Sequence, residues 1–468
     1  MLKILSSKPF IFLAALLAMV AIPVASFASG QGAGGNDDVP SIGPVRVEFI
    51  IFALTLIGVA LFHHKTMHVA LTGLAAVILF KLIFNPSLNF MEHFFGSNGF
   101  MDQITDPEMR QGEWSVLLNL LGLLFGFGIL AKHFELSGIP KVLPNILPND
   151  WKGGLILLFF IMVMSSFLDN IAAAMIGGTI AMVVFKGKVH IGYLAAIIAA
   201  SNAGGAGSVV GDTTTTLMWI DGVNPLAVTH AFIASIAAFF IFGIVGSMQQ
   251  HKFQPIVSDA QQGVKIEYMR LVIVVLILVG AIATNILFDL PALGVWIAIL
   301  LGAIFTKTPW EEIKHSWMGT VFLMSLVTIA SLMPVNELPP ASMWSAFVLG
   351  FVSAVFDNIP LTKLCLEQGG YDWGILAYSV GFGGSMLWFG SSAGVALSNM
   401  YPQTRNTVQF VSKGWHVTVA YIISFFVMVG IVGWHPHDPH KKEDKQKTEQ
   451  KEEAKTPDEN VPEETPAE

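Results

Sequence analysis

Long apolar stretches separated by short polar segments occupy most of the chain. A helix needs about 20 mostly apolar residues to cross a bilayer, so each stretch predicts a membrane-spanning helix. The predicted cores are Phe49–Phe62, Val69–Phe84, Ser115–Ala131, Pro225–Met248, Leu271–Phe288, Ala292–Phe305, Trp317–Pro334 and Val417–Trp434. With two further regions described next, the pattern predicts an all-α integral membrane protein with about 10–11 spanning segments.

Two other apolar regions, 153–220 and 340–402, are repeatedly broken by Gly, Asp, Asn, Ser and Pro. Each contains a run that begins with Ser and ends in Asp-Asn-Ile. The run is Ser165–Ile171 in the first region and Ser353–Ile359 in the second. We expect each run to form the tip of a re-entrant hairpin.

A second pair of motifs follows these runs in the same order. Gly204–Asp212 and Gly383–Ser391 are both glycine-rich, and their separation along the chain is close to that of the first pair. Two motifs at nearly one offset indicate a duplicated unit. Interrupted hydrophobic segments at corresponding places in two halves point to the binding site of a transporter. The sequence therefore predicts two broken helices beside the two hairpins.

The chain ends differ from this membrane region. Lys3 and Lys8 precede the apolar run Phe10–Val24, a pattern typical of a secretory signal peptide, with an uncleaved first helix as the alternative. The predicted organisation is a signal peptide (1–28), a periplasmic linker (29–44), a first membrane repeat (45–250), a cytoplasmic linker (251–268), a second membrane repeat (269–434) and a disordered Lys/Glu-rich tail (435–468).

Composition agrees with a membrane protein and excludes several other classes. Hydrophobic residues make up 53% of the chain and charged residues 12%, whereas a soluble domain carries about 25% charged residues. The chain has no basic excess, which excludes a nucleic-acid-binding role. A single Cys excludes a disulfide framework and a thiolate metal site, and no motif indicates a cofactor.

The basic residues predict how the chain crosses the membrane. With an extracytoplasmic mature N-terminus and re-entrant hairpins, 13 of the 17 basic residues between signal and tail fall on the cytoplasmic side, as the positive-inside tendency requires. The two repeats are then inverted, and the tail is periplasmic. We expect a multi-pass protein of a bacterial-type inner membrane.

Asp169, Asp212 and Asp357 are the acidic residues deepest in apolar sequence. A charged Asp at a helix centre costs about 2.5–3.5 kcal/mol on insertion scales, and such residues usually serve transport. The alternative is that each carboxylate only satisfies amides of a broken helix. Apart from Lys186 and Lys188 in a loop, Lys363 is the only cation in either broken region, so the carboxylates favour a cation or a proton as ligand.

The broken helices also supply hard oxygen ligands that suit Na⁺, from freed carbonyls and hydroxyls. Back-bonding to a helix carbonyl is an equally good interpretation of any one hydroxyl. The oxygen-bearing side chains of the breaks are Ser201, Asn202, Ser208, Thr213, Thr214, Thr215, Ser385, Ser391, Ser392, Ser398 and Asn399.

Other candidates have simpler interpretations. His230 is expected to be a packed, hydrogen-bonded histidine rather than a proton relay. His435, His437 and His440 are expected to belong to a solvated tail rather than to a metal site. No Ser/His/Asp or HExxH arrangement suggests an enzyme. Gly122 and Gly126 form one GxxxG, which favours a close helix contact.

At these motifs the sequence resembles the NhaD-type sodium/proton antiporters of the ion-transporter superfamily, which also includes citrate, dicarboxylate and arsenite carriers. The resemblance spans roughly residues 113–434. The segments that carry it are Phe167–Asn170, Gly204–Gly205, Gly211–Thr215, Phe356–Pro360, Gly383–Ser385 and Gly390–Leu397.

The resemblance implies an inverted-repeat transporter whose hairpins and broken helices meet near mid-membrane, often as a homodimer. The residues predicted to bind the ion or proton are Asp169, Asn170, Asp212, Thr213, Thr214, Asp357, Asn358, Ser385, Ser391 and Ser392. Na⁺ is expected at Asp169, Asp212 and Asp357. The run Ala206–Val210 departs from the family pattern, because it lacks the Pro expected there.

The leading hypothesis is a Na⁺(Li⁺)/H⁺ antiporter that works by alternating access. The alternative is a Na⁺-coupled symporter of citrate, a dicarboxylate or an inorganic oxyanion. Dicarboxylate carriers of the superfamily have Ser-Asn-Thr at their hairpin tips. Here Asp169 and Asp357 each precede an Asn, which favours cation exchange.

Overall fold

The structure is a computed structural model that describes residues 39–42, 45–62, 65–85, 88–257 and 265–438. The predicted signal peptide, residues 1–28, and the tail from residue 439 onward lie outside the described residues. A two-residue antiparallel ladder, β1 (Ser41–Ile42) with β2 (Val45–Arg46), leads into the first helix.

The rest of the first repeat is helical. Its α-helices are α1 (Val47–Leu61), α2 (Thr66–Phe84), α3 (Phe90–Phe95), α4 (Phe100–Thr105), α5 (Trp114–Leu136), α6 (Ile139–Val142), α7 (Trp151–Ser165), α8 (Asn170–Val184), α9 (Ile191–Ala206), α10 (Thr213–Ile220), α11 (Pro225–Thr229) and α12 (Ala231–Phe253). Two 3₁₀ turns, Pro107–Met109 and Leu143–Ile146, precede α5 and α7.

The second half of the described chain is also mostly helical. Its α-helices are α13 (Tyr268–Phe288), α14 (Pro291–Phe305), α15 (Glu311–Ser331), α16 (Met343–Val355), α17 (Asn358–Gln368), α18 (Trp373–Gly383), α19 (Ser392–Met400), α20 (Thr407–Lys413) and α21 (Trp415–Val432). The 3₁₀ turns are Val335–Glu337 and Pro402–Arg405.

The predicted all-α membrane class is confirmed. Within the described residues, six helices are long and apolar enough to cross a membrane, and further apolar helices are shorter. Every predicted apolar core lies within or overlaps a helix. The short helices α7 to α10 and α16 to α19 cover the two regions that polar residues interrupt.

Local sequence signals explain where these short helices begin and end. Ser342 and Ser345 form a capping box at the start of α16, which satisfies amides that lack a partner in the first helical turn. The loop after α8 turns at Gly187, whose φ of 74° favours glycine. Gly369, with φ 76°, ends α17 in the same way.

The helices form two bundles. Helices α1, α2, α5, α13, α14 and α15 pack on one another, and the hairpins, the broken helices, α12 and α21 pack together in the other bundle. Gly122 and Gly126 of α5 face α14, where Trp296 Nε1 donates to the Gly122 carbonyl at 3.0 Å. The GxxxG motif therefore marks a close helix contact, as predicted. The bundles meet where α5 contacts α10 and α15 contacts α17.

The second bundle is built by exchange between the repeats. The second arm of the first hairpin, α8, packs against α19, which follows the break of the second repeat. Reciprocally, α17 of the second hairpin packs against α10, which follows the first break. The second arm of each hairpin therefore packs against the helix that follows the break of the other repeat.

Two arginines that the positive-inside pattern assigns to opposite membrane faces each contact a carbonyl near the end of another helix. Arg110 donates to the Phe288 carbonyl at 2.7 Å on one face, and Arg270 lies 3.4 Å from the Lys307 carbonyl on the other. Which face is cytoplasmic stays a prediction, as do the inverted orientation of the repeats and their boundaries.

The first residues of the predicted disordered tail are structured, which corrects its boundary. Trp373 Nε1 donates to the His437 carbonyl at 2.8 Å, and the His435 amide donates to Asp372 at 3.0 Å. The Gly370 amide donates to Asp438 at 2.9 Å. These hydrogen bonds, each between a backbone group and a side chain, hold residues 435–438 near the start of α18. Composition alone does not reveal such bonds.

Candidate ion-binding site

Four short helices begin at the two hairpin tips and the two breaks, each with a side chain that caps it. Asp169, Asp212 and Asp357 accept from backbone amides at 3.2, 3.2 and 3.1 Å at the starts of α8, α10 and α17. Ser391 accepts from the Gly394 amide at 3.3 Å in α19. N-capping satisfies amides that have no partner within the helix. One oxygen of each carboxylate therefore satisfies helix amides, which is the structural role that the sequence suggested as the alternative to ion binding.

The second carboxylate oxygens of Asp212 and Asp357 face side chains instead of amides. Asp212 Oδ2 lies 3.5 Å from Asn358 Nδ2, a contact that joins the two repeats. Asp357 Oδ2 lies 3.4 Å from the Ser392 hydroxyl. Both contacts are long for hydrogen bonds, so these oxygens retain the capacity to bind a cation or a proton.

The three predicted carboxylates are related through Asp212, but among the described residues they do not form a group of three that could hold one metal ion. Asp212 interacts electrostatically with both Asp169 and Asp357, although they come from different segments. Asp212 is only 2% exposed, whereas Asp169 and Asp357 are half-buried, so water screens the repulsion that acts on the Asp212 carboxylate only poorly. A proton or a cation among them relieves that repulsion.

A second polar chain crosses between the repeats beside the acids. Asn170 Nδ2 donates to Asn202 Oδ1 at 3.2 Å, and Asn202 Nδ2 donates to the Ser385 hydroxyl at 2.9 Å. All three side chains are buried. Asn202 was among the oxygens of the first break but not among the predicted binding residues. Its signal was a buried amide in an apolar helix directly before a break.

The threonines after Asp212 divide into two groups. Thr215 donates to the Ser208 carbonyl at 2.6 Å and Thr216 to the Val209 carbonyl at 2.8 Å, so both close the break. Both also back-bond to the Asp212 carbonyl. The buried hydroxyl of Thr214 interacts with the Asp212 carboxylate and has no other hydrogen-bond partner among the described residues. Thr214 therefore places a hydroxyl oxygen beside Asp212, and Thr213 is only partly buried.

Glycines allow the hairpins to approach the helices before the breaks. A Cβ at Gly204 would collide with the Met162 carbonyl, and a Cβ at Gly383 would collide with that of Gly350. Two serines of the hairpin runs fix these approaches: Ser165 donates to the Ser201 carbonyl at 2.5 Å, and Ser353 donates to the Val380 carbonyl at 2.7 Å. The two donors, Ser165 and Ser353, are separated in sequence by the same number of residues as the two hairpin runs. The two acceptors, Ser201 and Val380, are separated by the same number as the two glycine-rich runs. The contacts therefore repeat with the predicted duplication.

Lys363 does not neutralise the three candidate acids. Its ammonium group contacts Glu113 at 2.9 Å, Glu367 at 2.5 Å and Asp221 at 3.6 Å. Across the described part of the chain, no Lys or Arg forms an ion pair with Asp169, Asp212 or Asp357. The site is therefore an anionic environment, as the sequence predicted.

The histidine candidates lie elsewhere. His230 joins α11 to α12, and its side chain is exposed, so the prediction of a packed histidine is wrong: the residue lies on the outward face of these helices. His435 and His437 belong to the segment held against α18, and His440 lies outside the described residues. Within the described ranges, no group of three metal-ligating side chains is present.

The geometry defines a class: a multi-pass helical membrane protein in which hairpin tips and helix breaks from two halves of the chain lie around the buried Asp212. No protein-family model matches the chain. It is similar to sodium/proton antiporter 1 of Arabidopsis thaliana, with 27% identity over 61% of this chain and 56% of that protein.

Two bacterial proteins are similar as well. The Na⁺/H⁺ antiporter NhaD of Vibrio cholerae is 26% identical over 52% of this chain and 61% of its own length, and that of Halomonas elongata is 24% identical over 59% and 65%. The chain thus spans about six-tenths of the length of these relatives. The resemblance to NhaD-type antiporters, predicted from the motifs, is confirmed.

Proposed function

We propose that this protein is a Na⁺(Li⁺)/H⁺ antiporter that works by alternating access. The observation that carries the proposal is the buried Asp212, which interacts electrostatically with Asp169 and Asp357 and forms no ion pair with a described Lys or Arg. The relatives that are named sodium/proton antiporters support the same activity. The protein is then a transporter and not an enzyme.

One carboxylate site can exchange the two ligands because they compete for the same oxygens. Removal from water favours the protonated form of a carboxyl group, and a bound cation favours the ionised form. Asp212 is the proposed direct ligand of the cation, with the hydroxyl of Thr214 beside it. Asn358 and Ser392 lie 3.5 and 3.4 Å from the second oxygens of Asp212 and Asp357, which leaves these oxygens available to a ligand.

The amide chain would complete the site from the other side. Asn170, Asn202 and Ser385 present carbonyl and hydroxyl oxygens without charge. Hard oxygens of this kind suit an alkali cation. Because each hairpin packs on the other repeat, movement of one hairpin would change access to the site from one face.

Reconstituted vesicles test the proposal. We expect Na⁺ or Li⁺ added outside to dissipate an imposed pH gradient, measured with a fluorescent pH probe, and K⁺ at equal ionic strength to leave the gradient in place. No Na⁺- or Li⁺-dependent response between neutral and alkaline pH would contradict the proposal.

Symport of an anion with Na⁺ is the weaker alternative. Three carboxylates without a basic partner repel an anion, and the similar proteins are named antiporters. Uptake of labelled citrate, succinate or arsenite by the same vesicles, driven by a Na⁺ gradient, would favour it.

The finer topology is part of the proposal. The protein would be a homodimer in a bacterial-type inner membrane, with a cleaved signal peptide and a periplasmic C-terminus. A Cys at Glu459 should react with an impermeant reagent in intact cells. Reaction only after lysis would place the C-terminus in the cytoplasm.

A further inference from the structure

A buried lysine outside the ion site connects three helices. Lys363 lies in α17, and its side chain is 1% exposed. Its carboxylate partners are Glu113 at the start of α5, Asp221 at the end of α10 and Glu367 one turn further along α17. A buried charge requires such partners, since an unpaired ammonium group away from water is strongly destabilising.

The helices that Lys363 joins are those that carry the ion site. Asp212 caps the start of α10 and Asp221 its end, and Asp357 caps the start of α17. The two helices pack against each other. Lys363 lies further along α17 than Asp357, by about 9 Å along the helix axis. The pair with Asp221 therefore ties α10 to α17 at the end remote from the carboxylates.

This tie has a counterpart at the other end of the same two helices. There Asn358 Nδ2 lies 3.5 Å from Asp212 Oδ2. A slide of α10 along α17 would open both contacts together, because rigid helices transmit a shift along their axes. Glu113 adds a link from this pair to α5, which belongs to the other bundle.

We propose that Lys363 is a positioning residue: by holding Asp221, Glu367 and Glu113 it sets the alignment of α10 and α17, and thereby the geometry of the Asp212 and Asp357 carboxylates, without touching the transported ion. This inference rests on the proposed antiport function. It gives Lys363 a role beyond that of a cation near the acids.

The test uses the full chain in proteoliposomes, with the initial rate of exchange measured against Na⁺ concentration. Lys363→Met keeps the length of the side chain and removes its charge. We expect the KM for Na⁺ to rise about tenfold or more, as displacement of binding groups by a fraction of an ångström does, and the maximal rate to stay within about threefold. Lys363→Arg retains the charge and should keep the KM within about threefold of wild type.

Asp221→Asn is a second variant that leaves the lysine two carboxylate partners and therefore tests the α10 to α17 tie alone. We expect a smaller rise in KM in the same direction. The matched control is Lys81→Met, because Lys81 is also buried and ion-paired, with Glu48 at 2.7 Å, but lies in α2, away from the ion site. The control should leave the KM unchanged.

A distance measurement separates failure of this inference from failure of the antiport proposal. Spin labels at the exposed Leu226, in α11 beyond the loop that follows α10, and at Gln368, at the end of α17, report the alignment without any transport. We expect the label distance to shift or broaden in Lys363→Met and not in Lys81→Met. A folded Lys363→Met protein with wild-type KM and label distance would overturn the inference, whereas wild-type vesicles without cation exchange would overturn only the function.

Discussion

The two broken helices share a backbone plan but differ in chemistry. Asp212 caps α10 after the first break, and Ser391, at the corresponding end of the second glycine-rich run, caps α19. The offset that relates these two residues also relates Asn202 to Gly381, and a Cβ added at Gly381 would approach Asp212 Oδ2 to 3.5 Å. Duplication therefore preserved the capping and packing, while one break supplies a charge and the other only a hydroxyl.

The hairpin tips, in contrast, are alike in both their backbone structure and their side-chain chemistry. Asp169 and Asp357 each cap the second arm of a hairpin and precede an Asn. Their Asn neighbours differ in their partners, since Asn170 bonds to Asn202 and Asn358 to Asp212. The two similar tips therefore contribute to one asymmetric site. Asp212 of the first break interacts with the carboxylates of both tips.

The largest effect is expected from the two symmetric tips together. The double variant Asp169→Asn, Asp357→Asn keeps both caps, because Asn caps a helix as well as Asp does, but removes two titrating charges. We expect a folded protein without Na⁺-dependent exchange in vesicles. Full, pH-dependent exchange would mean that the two acids only hold the tips together.

Asp212→Asn should weaken Na⁺ affinity by about 100-fold or more, because the first break then carries no charge and resembles the second. The KM for Na⁺ in vesicles measures the change. Asp150→Asn is a matched control, since Asp150 caps α7 outside the site, and it should leave the KM within about twofold. A small effect of Asp212→Asn would place the cation at the hairpin tips instead.

Asn202→Ala should raise the KM for Na⁺ about tenfold. The change leaves Asn170 and Ser385 without their shared partner, and an unsatisfied buried polar group costs about 1–3 kcal/mol. Ser379→Ala is the control, because Ser379 is buried and donates to the Ile375 carbonyl but takes no part in the amide chain. Equal KM values in both variants would show that the amide chain does not shape the site.

Ser391→Ala should have the smallest effect. Loss of a cap costs about 1 kcal/mol of stability, so thermal unfolding in detergent should shift down by a few degrees while the KM for Na⁺ rises less than about threefold. An effect as large as that of Asp212→Asn would erase the contrast between the two breaks.

Much of the fold could be predicted because its signals are local. Apolar stretches give the spanning helices, since a bilayer accepts only segments whose backbone is satisfied internally. Asp169, Asp212 and Asp357 each stand directly before a helix, where a carboxylate caps free amides. The offsets between the duplicated motifs reappear in the contacts that Ser165 and Ser353 make with the helices before the breaks.

The helices, the repeated motifs and the three candidate acids could thus be recognised in the sequence, because hydrophobicity, capping and motif spacing depend on neighbouring residues or on a fixed offset. The partners of the polar side chains depended on tertiary packing. Asn202 and Ser385 come from different repeats and yet share a hydrogen bond, and Lys363 pairs with Glu113 of the other bundle. Which polar groups meet depends on the faces that helices present when they pack, and no local pattern specifies that choice.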